Sequence, residues 1–303
     1  MANPPESRQT GVTIRNLRQE SPRMNLSRLL LPAAALLAGC TAEVRESDLI
    51  RPVRGGGLTA EALRADAPAY TLAEHRLPAH GGASLYAVHL RQPGARTTIL
   101  YFGGNGYTIG RFGPWTASVF APLGVDLIVV DHRGYGQSEG IPSASAMEED
   151  ALAAFDHARR IVGPDGRIVV HGHSLGSFSA GHVAANRAAA GVVLESSATT
   201  TEDWVAAGTP GAAKLFIRKV EIDPGLRGRG NLSVVPRIDE PLLILVGAKD
   251  GTTPPSLSNA LFAASPLPEG RKTLQVVPGA GHADVMTKAG AIAAYRAFLA
   301  RLD

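Results

Sequence analysis

A serine between two glycines, in the pattern Gly-x-Ser-x-Gly, can serve as the nucleophile of acyl transfer. The chain carries this pattern twice, over residues 136–140 and 172–176. The chemistry explains the glycines: a tight turn must lift the hydroxyl clear of a sheet, and side chains at the flanking positions would strike the adjoining strand or helix. With 34 glycines in 303 residues the pattern alone says little, so its surroundings must discriminate. Ser174 follows the apolar, β-branched run 167–170, which reads as a buried strand, and precedes an alanine-rich stretch reaching Ala190, which favours a helix. Strand, turn and helix make a nucleophile elbow, and the helix start aims amide dipoles at the site. Ser138 is followed by Glu139, Gly140, Ile141 and Pro142, where no helix starts, and reads as a loop residue.

A serine hydroxyl needs a base, and the base needs an acid; in α/β-hydrolase folds they arrive along the chain as serine, acid, histidine. Two histidines follow Ser174. His182 lies in the same expected helix, two turns away, and reads as a helix-surface or packed residue. His282 ends a Pro-Gly-Ala-Gly-His loop after the apolar run 273–277, where an imidazole can be aimed free of helical geometry. Asp250 stands in the loop after the aliphatic run 242–246, placed to fix the tautomer of His282 and stabilise its imidazolium. Glu195, ending the run 191–194, is the rival acid, while Glu202, Asp203, Asp239 and Asp284 read as solvated charges or helix-start acids. For the developing oxyanion, the expected donors are the backbone amide of Leu175 and that of Asn105, with Gly104 the near alternative, in the glycine-rich loop after the run 97–102.

These groups need a scaffold. Runs at 83–90, 97–102, 125–130, 167–171, 191–194, 242–246 and 273–277 read as strands, alternating with helical stretches such as 146–161 and 285–302. This rhythm predicts an α/β fold with a mostly parallel central sheet flanked by helices, in one domain spanning 69–303. Between 196 and 236 the rhythm lapses, and Trp204, Val205, Leu215, Phe216, Ile217 and Val220 appear among Gly, Pro and Thr. That stretch is expected to form a small cap insertion whose apolar residues take an acyl chain or an aromatic group.

From about Leu77 onward the chain resembles serine hydrolases of the α/β-hydrolase superfamily, in particular the Bem46-like group. The marks are the segment 101–106, the loop DHRGYGQSEG at 131–140 with Ile141 and Pro142 after it, the elbow GHSLG at 172–176, Asp250 with Pro254, and Gly281 with His282. The resemblance implies the α/β-hydrolase fold, the Ser174, Asp250, His282 assignment and ester-type hydrolysis, since such proteins are similar to carboxylesterases, lipases, acyl-thioesterases and some peptidases. In one respect the chain departs: relatives usually carry a histidine before the oxyanion glycine, where Gly103 stands here, and His132 replaces a usual aromatic.

The only cysteine, Cys40, ends the sequence Leu-Ala-Gly-Cys, which matches a bacterial lipobox, and Arg28 precedes an apolar stretch over 29–38. That stretch suits a signal-peptide core and is too short to span a bilayer. The expectation is a leader over 1–39, with Met24 an alternative start, then a lipidated Cys40 opening a polar tether over 40–68. Such a protein is held on a membrane of the bacterial cell envelope, the outer membrane facing the periplasm in a Gram-negative cell. Five arginines and two glutamates precede Cys40, a net of +3 that equals the charge of the whole chain and leaves 25 charges of each sign in the remainder. The basic balance therefore belongs to the leader, and no case for nucleic-acid binding remains.

Together these features predict a lipid-anchored serine hydrolase cleaving carboxylic esters or thioesters through an acyl-enzyme on Ser174, a route that needs no metal or organic cofactor. Two alternatives stand beside it. One is a serine peptidase or aminopeptidase on the same fold, which would need a charged anchor for the substrate terminus. The other is a non-catalytic envelope lipoprotein that binds through the hydrolase fold.

Overall fold

The structure is a computed structural model, described here for residues 40–209 and 217–302. The expected leader lies outside the described residues, as do Leu215 and Phe216 of the expected cap.

Eight strands form the central sheet: β2 (Thr71–Pro78), β3 (Ser84–Arg91), β4 (Thr97–Phe102), β5 (Asp126–Val130), β6 (Arg167–His173), β7 (Gly191–Glu195), β9 (Leu242–Gly247) and β10 (Lys272–Val277). Their order is β10-β9-β7-β6-β4-β5-β3-β2, with β3 antiparallel to both neighbours and the other pairings parallel. Strands buried on both faces must be apolar at every position, which is why β4, β7 and β9 read as unbroken runs. Alternate residues feed two cores. Ile99 and Tyr101 of β4 pack with Leu63 of α2 (Ala60–Asp66), Phe120 of α3 (Ile109–Phe120) and Phe298 of α8 (Ala289–Ala300). Leu100 and Phe102 pack on the opposite face with Phe155 of α4 (Ala144–Val162), Val183 of α5 (Gly176–Ala184) and Leu261 of α7 (Pro255–Ala264).

All seven expected strands are present with small shifts at their ends. Strand β2 escaped the sequence reading because it is an edge strand, and among its residues only Leu77 is buried. Helix α3 escaped because Gly110, Gly113 and Pro114 lower its helix propensity. Gly110 is there for space, since a Cβ would strike the Gly56 carbonyl.

Residues 40–68 are not a polar tether. Strand β1 (Cys40–Val44) pairs in parallel with β8 (Ile217–Ile222) of the expected cap, and α1 (Glu46–Leu49) follows it. Leu49, Ile50, Leu58, Leu63 and Ala67 are buried, so apolar residues scattered through a polar sequence fasten this segment to the domain. Between β7 and β9 the other described residues of the cap include α6 (Thr201–Gly208), whose first turn is capped by the Thr200 hydroxyl accepting from Asp203 N, and a loop carrying Leu226 and Arg229.

Candidate active site

Strand β6 ends at His173 and α5 begins at Gly176, leaving Ser174 on a turn with φ 52°, in the left-handed region that a residue with a Cβ enters at a cost of about 1–2 kcal/mol. The elbow has no room to relax. A Cβ at Gly172 would strike the Gly176 carbonyl, and one at Gly176 would strike the carbonyls of Phe102 and Gly103. The backbone is fixed from outside by Ser174 N donating to Glu195 O (2.9 Å) and by the Ser177 hydroxyl donating to Ser174 O (2.6 Å).

The structure brings Ser174, His282 and Asp250 together. The Ser174 hydroxyl lies 2.8 Å from His282 Nε2, and His282 Nδ1 lies 2.9 Å from Asp250 Oδ2 and 3.1 Å from Oδ1. Asp250 is buried and further solvated by protein: its Oδ1 accepts from the amides of Thr252 (2.9 Å) and Thr253 (2.8 Å). Burial works to raise the Asp250 pKa, but His282 and these amides outweigh it and hold the carboxyl below its ordinary value. An ionised Asp250 accepts Nδ1–H and leaves Nε2 with the lone pair that faces the serine.

Several residues that place His282 carry no signature in the sequence. The Thr253 hydroxyl sits 2.9 Å from Asp250 Oδ2 and 2.9 Å from Ser196 O, and 3.2 Å from His282 Nδ1. The His282 carbonyl accepts from His173 Nε2 (2.9 Å) and from the Ser196 hydroxyl (3.2 Å), while Gly281 N donates to Asp284 Oδ1 (2.6 Å). The Asp250 side chain closes an Asx-type turn on the amides of Thr252 and Thr253, and a threonine three residues after the acid is the one signal a sequence reading could have used. Asp284 is thus a turn-forming acid as well as a surface charge.

Glu195 does not bond to His282. It lies behind the elbow with Oε2 3.0 Å from His171 Nε2, and His173 and His171 hold it below its ordinary pKa against the opposing effect of burial. His182 is likewise away from Ser174, on the helix where it was expected. Ser138 is fully buried and structural: its hydroxyl donates to Asp131 O (2.6 Å) and accepts from Tyr86 N (2.8 Å). Asp131 in the same loop accepts from Ile109 N (2.7 Å) at the start of α3 and from Gln137 N (3.1 Å), and burial pushes its carboxyl up to about 6.

The loop expected to supply oxyanion donors lies beside the serine, since a Cβ at Gly104 would come within 3.2 Å of Ser174 Cβ and 2.8 Å of His173 Nδ1. His132, the unusual residue of the 131–140 loop, reaches the same place. Its Nε2 donates to Gly103 O (2.8 Å) and its ring stacks on Phe102. Burial lowers the His132 pKa, and Nε2 carries the proton that the Gly103 carbonyl accepts.

Next to Ser174 is a small cleft lined by Leu175, Phe178, Ala198, Trp204 and Thr253. Leu175, Phe178 and Trp204 also line a larger cavity beyond it, with about 50 Å³ accessible to water-sized molecules. Its far side carries His182 and the Glu148–Arg229 ion pair. Among the described residues no group of three or more His, Cys, Asp or Glu side chains is arranged to hold a metal ion.

The strand order, with the tight Ser174 turn after a central parallel strand, Asp250 after β9 and His282 after β10, decides the architecture. The chain has the α/β-hydrolase fold. Residues 93–222 match the Hydrolase_4 family, described as serine aminopeptidase, S33. An uncharacterised protein of Mycobacterium tuberculosis is 33% identical over 164 residues, 54% of this chain and 54% of that relative, so the chain spans about half of its length. The Bem46 protein of Schizosaccharomyces pombe is 26% identical over 215 residues, 70% of each chain. Among solved structures, an esterase of Pyrococcus furiosus superimposes with a TM-score of 0.66 at 16% identity, covering 83% of this chain and 99% of that one. The α/β-hydrolase fold is therefore shared well beyond the segment that sequence similarity reaches.

Proposed function

We propose that the protein is a serine hydrolase that cleaves carboxylic ester or thioester bonds through an acyl-enzyme on Ser174. The carrying observation is the continuous chain of hydrogen bonds from Ser174 Oγ through His282 to the buried Asp250. In this reading His282 Nε2 takes the hydroxyl proton as Oγ attacks the acyl carbon, and returns it to the leaving oxygen or sulfur as the tetrahedral intermediate collapses. Water activated by the same nitrogen then hydrolyses the acyl-enzyme. The amides of Leu175 and Asn105, with Gly104 the alternative to Asn105, donate to the oxyanion.

An ester fits the surroundings better than a peptide terminus. The cleft beside Ser174 is walled mainly by Leu175, Phe178, Ala198 and Trp204, and the acids that could anchor an ammonium are engaged elsewhere: Glu195 with His171, Glu202 with Gly228 N, Asp203 with Thr199. Labelling by a fluorophosphonate tests the enzyme against a non-catalytic binding protein. Wild type is expected to react and Ser174→Ala to stay unlabelled; an unreactive wild type would sink the enzymatic reading. Comparing p-nitrophenyl esters with aminoacyl amides then separates esterase from peptidase.

Cys40 in its Leu-Ala-Gly-Cys setting supports attachment to an envelope membrane through a lipid on that residue. Among the described residues no helix is long and apolar enough to cross a membrane. Membrane fractionation of Cys40→Ser is the test, and association undiminished by the substitution rejects the anchor.

A further inference from the structure

The segment just after Cys40 touches both halves of the proposed site. Leu49 and Ile50, at the end of α1, are 6% and 5% exposed and line the same cavity as Phe178 and Trp204. The next contact is to the oxyanion loop. Asn105 Nδ2 donates to Leu49 O (2.6 Å), and Asn105 Oδ1 accepts from Arg51 N (3.1 Å) and from the Tyr135 hydroxyl (2.7 Å). Only a side chain with both a donor and an acceptor can make this set, which is what an amide offers and a carboxylate does not. The segment is also tied to the start of α4, where Glu46 Oε1 accepts from Ala144 N (2.9 Å).

We propose that residues 46–51 form a strap that completes the acyl subsite: Leu49 and Ile50 are specificity-determining walls for an apolar acyl chain, and Asn105 is a positioning residue that ties the strap to the oxyanion loop. The proposal rests on the serine-hydrolase reading above. The occupant follows from continuity and chemistry. The cavity and the Ser174 cleft share Leu175, Phe178 and Trp204 as lining, so an acyl group held on Ser174 lies directly beside the cavity. Its near walls are apolar and its far side is charged. A chain of several methylenes gains by entering, and the ion pair at the far side sets where the gain ends.

Two measurements test the strap. The first is the ratio of kcat/KM for p-nitrophenyl octanoate to that for p-nitrophenyl acetate. Each methylene admitted is worth about a fourfold gain, so Ile50→Trp, which fills the cavity, is expected to lower the ratio at least 20-fold, and Ile50→Ala to change it by only a few-fold. Asn105→Asp is expected to lower kcat for both esters alike with little change in KM, a split that a merely structural role would not give. The second measurement needs no turnover: quenching of Trp204 fluorescence by octanoate in Ser174→Ala/Trp115→Phe, expected to saturate and to weaken at least tenfold when Leu49→Phe/Ile50→Phe is added. An octanoate-to-acetate ratio unmoved by Ile50→Trp in a variant that melts like wild type and still reacts with fluorophosphonate overturns the strap and leaves the hydrolase reading intact. Absence of labelling in wild type sinks the hydrolase reading, and the fluorescence titration still decides whether the cavity takes an acyl chain. Titration without saturation overturns the subsite.

Discussion

The two Gly-x-Ser-x-Gly serines should respond to substitution in opposite ways. Ser138 sits past the end of β5, where its hydroxyl takes the place of a strand carbonyl: it accepts from Tyr86 N (2.8 Å) and donates to Asp131 O (2.6 Å) with no exposure to water. Ser138→Ala strands the Tyr86 amide in the interior, at a cost of about 1–3 kcal/mol. For a domain of this size that corresponds to a fall in Tm of about 2–10 °C, with fluorophosphonate reactivity retained. Ser174 is instead held at φ 52° with a hydroxyl engaged by His282, so its removal ends reactivity while relieving nothing as long as a Cβ remains. Ser174→Gly should therefore be more stable than Ser174→Ala by about 0.5–1 kcal/mol, the left-handed penalty less the entropy of the added glycine. Thermal unfolding and labelling of the three variants check this. Loss of labelling in Ser138→Ala at an unchanged Tm, or labelling of either Ser174 variant, would refute the assignment of roles.

Asp250→Asn should leave the fold intact but place an amide where His282 needs a carboxylate, lowering kcat by about 10³–10⁴-fold with a small change in KM, as steady-state ester hydrolysis would show. Gly176→Ala should give little soluble, labelled protein, because the new Cβ strikes the carbonyls of Phe102 and Gly103; wild-type yield and labelling would disprove the packing argument. Arg133 and Asp150 form a buried bidentate pair (2.8 and 2.5 Å), so Arg133→Leu should cost about 3–5 kcal/mol in urea unfolding by leaving Asp150 unpaired. Burial lowers the pKa of His89, His132, His157, His173 and His182 below the ordinary 6.5. At these five positions the unfolded chain binds more protons than the folded one below about pH 6.5, so their contribution is fully present above that value and is lost as pH drops beneath it, offset in part by Asp131, whose carboxyl at about 6 favours the folded state on acidification; a urea midpoint flat from pH 7 to 5 would contradict the dominance of the histidines.

What the sequence made legible followed from periodicity and from rigid chemistry. Buried parallel strands must be apolar throughout, so β4, β6, β7 and β9 announced themselves, and the residues at their ends came with them: Ser174 after β6, Asp250 after β9 and His282 after β10. These positions are tied to the sheet, and strand order alone brings them near one another. The groups that sequence did not reveal are those whose role depends on distant contacts. His173 and Ser196 are unremarkable residues until the fold carries both to the His282 carbonyl, and Thr253 gains its meaning from Asp250 and Ser196 together.

The segment after Cys40 makes the same point in the other direction. Arg51, Pro52 and Gly55–Gly57 suggest a loose tether because their local pattern has neither period, and a short helix of four residues cannot signal itself by repetition. Its order comes from elsewhere: a strand partner in β8, more than 170 residues later, and the side chain of Asn105, itself in the loop chosen for its glycines. The departure at Gly103 has a similar resolution. A histidine there would collide with the Tyr107 ring, which packs against the bare glycine, while the imidazole of His132 reaches that glycine's carbonyl from a neighbouring loop. A position-by-position reading registers one histidine lost and another misplaced. In three dimensions both residues meet at one peptide, that of Gly103, beside Ser174.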